Sequence, residues 1–193
     1  MRKIIFASKN EGKVKEVKDI LKDMKINIVS LSDIDFNGDI IESGSTFEDN
    51  AKIKAEEIFD KYKMPVIADD SGLVVEILNG EPGIFSARYS GDPATDEQNN
   101  YFLLDKLKSL PEPYKAKFVC AAVYYDGNEF QTSIGEVNGK IISELRGKRG
   151  FGYDPLFIPD GFNETMGELE DDIKYKISHR YQAFIKLKNF ISN

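Results

Sequence analysis

The chain is poor in cysteine, in positive charge and in long apolar runs, and each shortage removes a class of protein. Among 193 residues only Cys120 carries a thiol, so no internal disulfide forms and a reducing, cytoplasmic setting is expected. Cys120 lies in the apolar run KFVCAAVYY, which predicts a buried, inert side chain. No uninterrupted apolar stretch approaches the ~18 residues that a membrane-spanning helix needs. The opening MRKIIFASKN has too short an apolar segment for a signal peptide, and no membrane partner is expected. Acidic residues outnumber basic ones, 33 to 26, for a net charge of −7. That balance disfavours a nucleic-acid surface, because phosphate backbones are held by summed Lys and Arg. A small phosphorylated ligand stays open, since a few local cations suffice for it, above all beside a divalent metal. No repeat, low-complexity tract or Pro/Ser-rich linker interrupts the sequence. Its length fits one domain, taken as residues 1–193, or two small lobes sharing a sheet.

Two catalytic signatures are also missing. The G-x-x-x-x-G-K-[ST] spacing of a P-loop is absent. No G-x-S-x-G elbow accompanies the single histidine, His179, which makes a Ser/His/Asp hydrolase a poor reading.

What is present is periodicity. RKIIFAS reads as a strand, and EGKVKEVKDILKDM follows with Val14, Val17, Leu21 and Met24 at helical spacing. INIVSL is a second strand. Thr46 and Asp49 form a capping-box pattern ahead of a helix with Phe47, Ala51, Ala55, Ile58 and Tyr62 on one stripe. PVIAD and GLVVEIL have strand character, and NGEPGIFSARYSGDPA is a long loop of the kind that is often functional. Thr95 and Gln98 cap a further helix, to about Leu110. KAKFVCAAVYYDGNEFQTSIGEV gives two strands joined at Asp126-Gly127-Asn128, a hairpin signal. LFIP follows a glycine-rich stretch, and the last helix runs from about Ser178 with Phe184, Leu187 and Ile191 on one side. Early alternation of strands and helices with a late hairpin predicts an α/β protein with a mixed sheet.

Several short strings carry candidate chemistry. PVIADDSG, residues 65–72, reads as a buried strand that ends in two carboxylates, a hydroxyl and a glycine. Adjacent strand residues point to opposite faces, so one of Asp69 and Asp70 faces a metal or water, or the string is an ordinary turn. SKNEGK joins the first strand to the first helix, where backbone N–H groups attract anions. Ser8, Asn10 and Lys13 would serve such a site, or Asn10 caps the helix and Lys13 is solvated. Glu42 precedes a helix and, with Asp69 or Asp70, would supply the one or two carboxylates that Mg²⁺ takes alongside phosphates; otherwise it is a surface acid. In GFGYDP two glycines flank Phe151 and let a flat ligand approach its ring, with stacking worth ~1–3 kcal/mol per base. A tight turn with core aromatics explains the same string. Lys174, Ser178, His179 and Arg180 concentrate donors at a helix start.

Taken in order, SKNEGK, ESGSTFEDNA, ADDSGL, PGIFSARYSG, GFGYDPLF and ISHRYQAF resemble the inosine triphosphate pyrophosphatase family, also described as dITP/XTP diphosphatases. The resemblance runs from about residue 4 to residue 188. It implies an elongated mixed β-sheet flanked by helices, in two lobes with a central cleft, and a homodimer. It further implies Mg²⁺-dependent hydrolysis of inosine, deoxyinosine and xanthosine triphosphates to the monophosphate and pyrophosphate, which keeps damaged purines out of DNA and RNA. By position, Ser8, Asn10 and Lys13 match the family's first phosphate loop, with Lys9, Glu11 and Gly12 as its remaining members. Glu42 matches a metal-associated carboxylate, and Asp70 the proton acceptor and metal ligand. Ser71 matches a substrate contact. Phe151, Gly152, Tyr153 and Asp154 match the base-binding loop, and Lys174, His179 and Arg180 the C-terminal substrate contacts. Asp69 then becomes the structural member of the pair, facing away. Arg149 departs from the small or neutral residue often found there and stands where it could alter the pocket edge; Tyr181 occupies a variable position. Three readings compete: a septum-inhibitor type pyrophosphatase acting on modified pyrimidines, a nucleotide sensor without turnover, and a nucleic-acid-binding module.

Overall fold

The computed structural model describes residues 1–191. Six strands are hydrogen-bonded in the order β2-β1-β3-β4-β5-β6. They are β1 (Arg2–Phe6), β2 (Ile26–Ser30), β3 (Val66–Val75), β4 (Tyr114–Tyr125), β5 (Phe130–Ile141) and β6 (Phe157–Pro159). Five helices accompany them: α1 (Glu11–Ile20), α2 (Phe47–Tyr62), α3 (Asp96–Leu107), α4 (Asp171–Ile177) and α5 (His179–Ile191). β1 runs parallel to β2, with Arg2 opposite Ile26 and Phe6 opposite Ser30, and parallel to β3. β5 and β6 are antiparallel. The expected mixed α/β sheet is therefore present. Among the described residues no helix is long and apolar enough to cross a membrane.

The chain divides into two compact units. Unit 1 comprises Met1–Asp70, Cys120–Gly135 and the C-terminal stretch from His179. Its core gathers Ile5, Leu31, Ala51, Ala55, Ile58, Val66 and Val123. The stripe read from α2 is thus the buried face of that helix. α1 packs on α5, and Phe6 meets Phe184 edge-on, with ring centroids 6.1 Å apart. Gly135 allows the start of α5 to lie against β5, since a Cβ there would collide with the His179 carbonyl. Ser133 Oγ donates to the Ala183 carbonyl at 2.7 Å and ties the same two elements. Unit 2 comprises Ser71–Val119 and Glu136–Ser178. Its core is built on Leu73, Leu103, Leu107, Phe118, Leu156 and Phe157.

The helix starts follow local chemistry. Asn10 Oδ1 accepts from the Lys13 backbone N–H at 3.0 Å, and Thr46 Oγ1 accepts from that of Asp49 at 3.1 Å. Thr95 and Gln98 close a full capping box on α3. Each pair satisfies donors that a helix leaves open at its first turn.

Three elements depart from the sequence reading. β3 does not end at Asp69 and Asp70; it runs through them from Val66 to Val75, and Glu76–Leu78 form a 3-10 turn instead of its continuation. Two acids inside a strand read as a terminus only while their partners are unknown. Gly72, also interior, is needed because a Cβ there would collide with Ser86 Oγ and the Gly83 carbonyl. Second, α4 was not expected. Extended Ser178, at ψ 146°, separates it from α5, which begins at His179 as expected. Third, α1 ends at Ile20, leaving Met24 beyond it.

Phe184→Ala should destabilise the protein by about 3–5 kcal/mol, the usual cost of emptying an aromatic site in a core. Chemical denaturation checks this; a loss below 1 kcal/mol would show that α5 does not seal unit 1.

Candidate active site

Asp69 and Asp70 occupy adjacent positions on β3, and strand alternation sends them to opposite faces. Both are buried, 2% and 6% exposed. A buried carboxylate needs a counter-charge and hydrogen bonds, and each acid finds a different set.

Asp69 faces α1 and α5. Its Oδ2 lies 3.1 Å from both Nε and Nη2 of Arg180 and 3.2 Å from Lys13 Nζ. Cys120 Sγ is 3.7 Å from the same oxygen. Arg180 is 1% exposed, and its Nη1 donates to Glu16 Oε2 at 2.6 Å. Two cations and two anions thus form one network around the buried Asp69 and Arg180. Burial disfavours the Asp69 charge, but the ammonium of Lys13 and the guanidinium of Arg180 outweigh it and hold the carboxyl well below the usual range. Burial, then the Asp69 charge, pushes the Cys120 thiol up. That agrees with the inert, buried cysteine expected from its apolar run.

Asp70 faces α2. Lys54 Nζ lies 3.2 Å from its Oδ1 and 3.0 Å from Glu42 Oε1. Asn50 Nδ2 donates to Asp70 Oδ2 at 3.1 Å. Burial opposes the Lys54 charge, yet Asp70 and Glu42 raise its pKa on balance. Glu42 and Asp70 therefore converge on one point, now held by an ammonium. Two convergent carboxylate oxygens fit a hard divalent cation, which takes one or two carboxylates and completes its octahedron with water and phosphate. Among the described residues no cluster of three or more His, Cys, Asp or Glu forms a closed metal cage.

The loop before α1 is divided in its duties. Asn10 is the helix cap, and its backbone N–H donates to Ser8 Oγ at 3.2 Å. Lys9 Nζ donates to the Gly38 carbonyl at 2.9 Å, while Glu11 is exposed and Gly12 half-buried. Lys13 is not simply solvated: it turns inward onto Asp69.

In unit 2, Phe151 stands between Gly150 at φ +79° and Gly152 at φ +63°. Its N–H donates to Asp154 Oδ2 at 2.9 Å, and Lys174 Nζ meets that oxygen at 2.7 Å. The Lys174 ammonium also lies 5.6 Å from the Phe151 ring centroid, over its face. A Cβ on Gly150 would strike Asp154 and Lys174. Tyr153 is buried in the unit 2 core and donates its hydroxyl to the Ser86 carbonyl at 2.9 Å. Ser71 is half-buried at the start of this unit.

The sequence model of the Ham1 family matches residues 4–190. The chain belongs to the Ham1 family. It is 45% identical over 193 residues to the dITP/XTP pyrophosphatase of Bacillus subtilis (strain 168), covering 99% of this chain and 98% of the relative. It is 46% identical over 198 residues to that of Clostridium perfringens (strain 13 / Type A), covering 98% and 97%. Among solved structures, the Staphylococcus aureus Ham1 protein superposes with a TM-score of 0.87 at 40% identity, covering 98% of each chain. A HAM1 protein from Coxiella burnetii reaches a TM-score of 0.91 at 36% identity, covering 100% of this chain and 99% of that one.

In this Ham1-family chain the candidates named from the sequence fall into three groups: Lys13 with Arg180, Glu42 with Asp70, and Phe151 with Asp154 and Lys174. Asp69 lies inside β3 and not at its end, and it faces away from Asp70 as the structural member of the pair, anchoring the first group. Arg180 is no open donor, because Asp69 and Glu16 take its guanidinium. His179, the first residue of α5, stays half-buried. Arg149 is drawn to Glu170 Oε1 at 2.8 Å and to the Glu168 carbonyl at 2.9 Å. Sequence reasoning missed Glu16, Asn50 and Lys54. A signal existed for two of them, since Asn50 and Lys54 are polar residues four apart that border the apolar stripe of α2.

Asp69→Asn should cost about 3–5 kcal/mol at neutral pH, because the buried Arg180 and the half-buried Lys13 lose a formal counter-charge. The folded-state pKa of Asp69 lies below the unfolded value of about 3.9, so the stabilisation is complete above that pH and fades as pH falls below it. Denaturation of both proteins across that range should give a constant gap near neutrality that narrows in acid. A gap independent of pH would show that Asp69 is not ionised.

Proposed function

We propose that this chain is a nucleoside triphosphate pyrophosphatase that converts inosine, deoxyinosine and xanthosine triphosphates to the monophosphate and pyrophosphate. The observation that carries the reading is the buried convergence of Glu42 and Asp70 on Lys54. Family membership supports it, as does the dITP/XTP pyrophosphatase activity for which its relatives are named. Asp70 is the proton acceptor: water adds to phosphorus, the α–β anhydride bond breaks, pyrophosphate is released and the water proton passes to the carboxylate. Mg²⁺ held by Glu42 and Asp70 would neutralise triphosphate charge and polarise the phosphoryl group. Lys54 is a cation already placed beside the reacting carboxylate, where it stabilises developing phosphate charge. Ser8, Lys13 and the open N–H groups of the first turn of α1 receive phosphate oxygens. Phe151 stacks on the base, and Ser71 is a further substrate contact.

Base choice follows from donor and acceptor pattern. Hypoxanthine and xanthine carry an acceptor oxygen where adenine has an amino donor. A donor from His179 suits the former and meets adenine donor to donor. Such a site can discriminate by ~10⁴-fold, because mismatched buried groups are left unpaired. Arg180 acts behind it, fixing the first turn of α5 through Asp69 and Glu16. Lys174 serves the base loop through Asp154 and the Phe151 ring. The enzyme works as one domain over residues 1–193, as a homodimer in the cytoplasm.

Product analysis with Mg²⁺ against ITP, XTP, GTP and ATP tests the reading. Monophosphate and pyrophosphate from ITP and XTP, with little from GTP or ATP, is the expected result; diphosphate and orthophosphate would overturn it. Asp70→Asn should lower turnover by at least ~10²-fold while nucleotide binding persists. An Asp70→Asn protein with wild-type kcat would remove Asp70 from its role.

A further inference from the structure

Phe151 sits between two glycines, and glycine backbone is the most costly to order. An aromatic platform on such a loop stacks well only if something else fixes its direction. In unit 2 that something is α3. Asp96 and Asn100 lie four residues apart, on one face of the helix. Asp96 Oδ2 accepts from the Gly152 N–H at 2.7 Å, a distance typical of a charge-assisted bond. Asn100 Nδ2 donates to the Gly152 carbonyl at 2.9 Å, and Asn100 is only 3% exposed. Both ends of one residue, held at φ +63°, are thus gripped by two side chains of one rigid element. The helix is itself fixed at its start by the Thr95–Gln98 capping box, directly before Asp96. On the other side of the ring, the Phe151 N–H is held by Asp154. The two N–H groups that flank Phe151 along the chain are therefore both bound by carboxylates, and the ring is left half-buried.

We propose that Asp96 and Asn100 are positioning residues for nucleotide selection. They clamp the Gly152 peptide so that the Phe151 ring keeps one orientation before the base arrives. The Gly152 N–H is spent on Asp96, so this glycine serves conformation and does not donate to the base. The inference rests on the reading that the 150–154 loop receives the purine.

Pre-organisation of this kind acts on binding and discrimination more than on the chemical step. Asp96→Ala and Asn100→Ala should each raise KM for ITP about tenfold, the scale of one lost hydrogen bond to a charged or buried group. kcat should fall much less, and the preference for ITP over ATP should shrink. Asp96→Asn keeps an acceptor for the Gly152 N–H and should restore KM and preference towards wild type. Steady-state kinetics on ITP and ATP, with a thermal midpoint for each variant, reads all of this. Unchanged KM and preference in both alanine variants would overturn the clamp. So would a loss confined to kcat, or an Asp96→Asn protein as impaired as Asp96→Ala. If an alanine variant fails to fold, Asp96→Asn and Asn100→Asp decide: the first should bind ITP normally, and the second, which sets a carboxylate against the Gly152 carbonyl, should bind it weakly. Absence of ITP turnover in the wild-type enzyme would instead strike the functional reading itself, a result separable from any of these.

Discussion

The two-residue period of β3 is the constraint on which the rest of unit 1 depends. Two adjacent acids on a buried strand must face opposite ways, and neither can be ionised there without a partner. Asp69 draws Lys13 and Arg180 from α1 and α5, and Asp70 draws Lys54 and Asn50 from α2. One dipeptide therefore organises two polar networks, one on each face of the strand. A single acid would organise one.

The division of labour between the networks follows from their charge. The Asp69 network is balanced: Glu16 joins it, two cations face two anions, and Lys13 stays partly exposed. It is suited to holding the α5 N-terminus, and so His179, in place. The Asp70 network is lopsided, with Glu42 and Asp70 facing one ammonium. An excess of negative charge at a convergent pair of carboxylates is what a divalent cation with a polyanionic substrate requires. Unit 2 repeats the first pattern on a smaller scale, where Asp154 pairs with Lys174 and the Lys174 ammonium lies over the Phe151 ring.

Much of the fold was legible in the sequence because it rests on local signals. The caps at Asn10, Thr46 and Thr95 were readable as residue types at fixed offsets. So were the apolar stripe of α2, the hairpin at Asp126-Gly127-Asn128 and the buried run around Cys120. The misreadings within the site concern residues whose state is set by distant neighbours. ADDSG looked like a strand end because carboxylates and glycine are turn formers when nothing answers them; Lys54, Arg180 and Ser86 do. The inward turn of Lys13 onto Asp69 was hidden because Asp69 is far along the chain. Arg180 looked like an open donor for the same reason, with Glu16 164 residues away.

The sequence by itself determined the α/β class, the family resemblance, the glycine-flanked Phe151 and, as candidates, Glu42 and the Asp69-Asp70 pair. Those are properties of residue type, order and short spacing. Only the tertiary structure decided which cation answers which acid, because ion pairing depends on distance in space, and burial on what closes over a group. It placed Lys54 between Glu42 and Asp70, sealed Arg180 between Asp69 and Glu16, and set Asp96 and Asn100 on either end of Gly152. Each of these joins segments that the linear chain keeps apart.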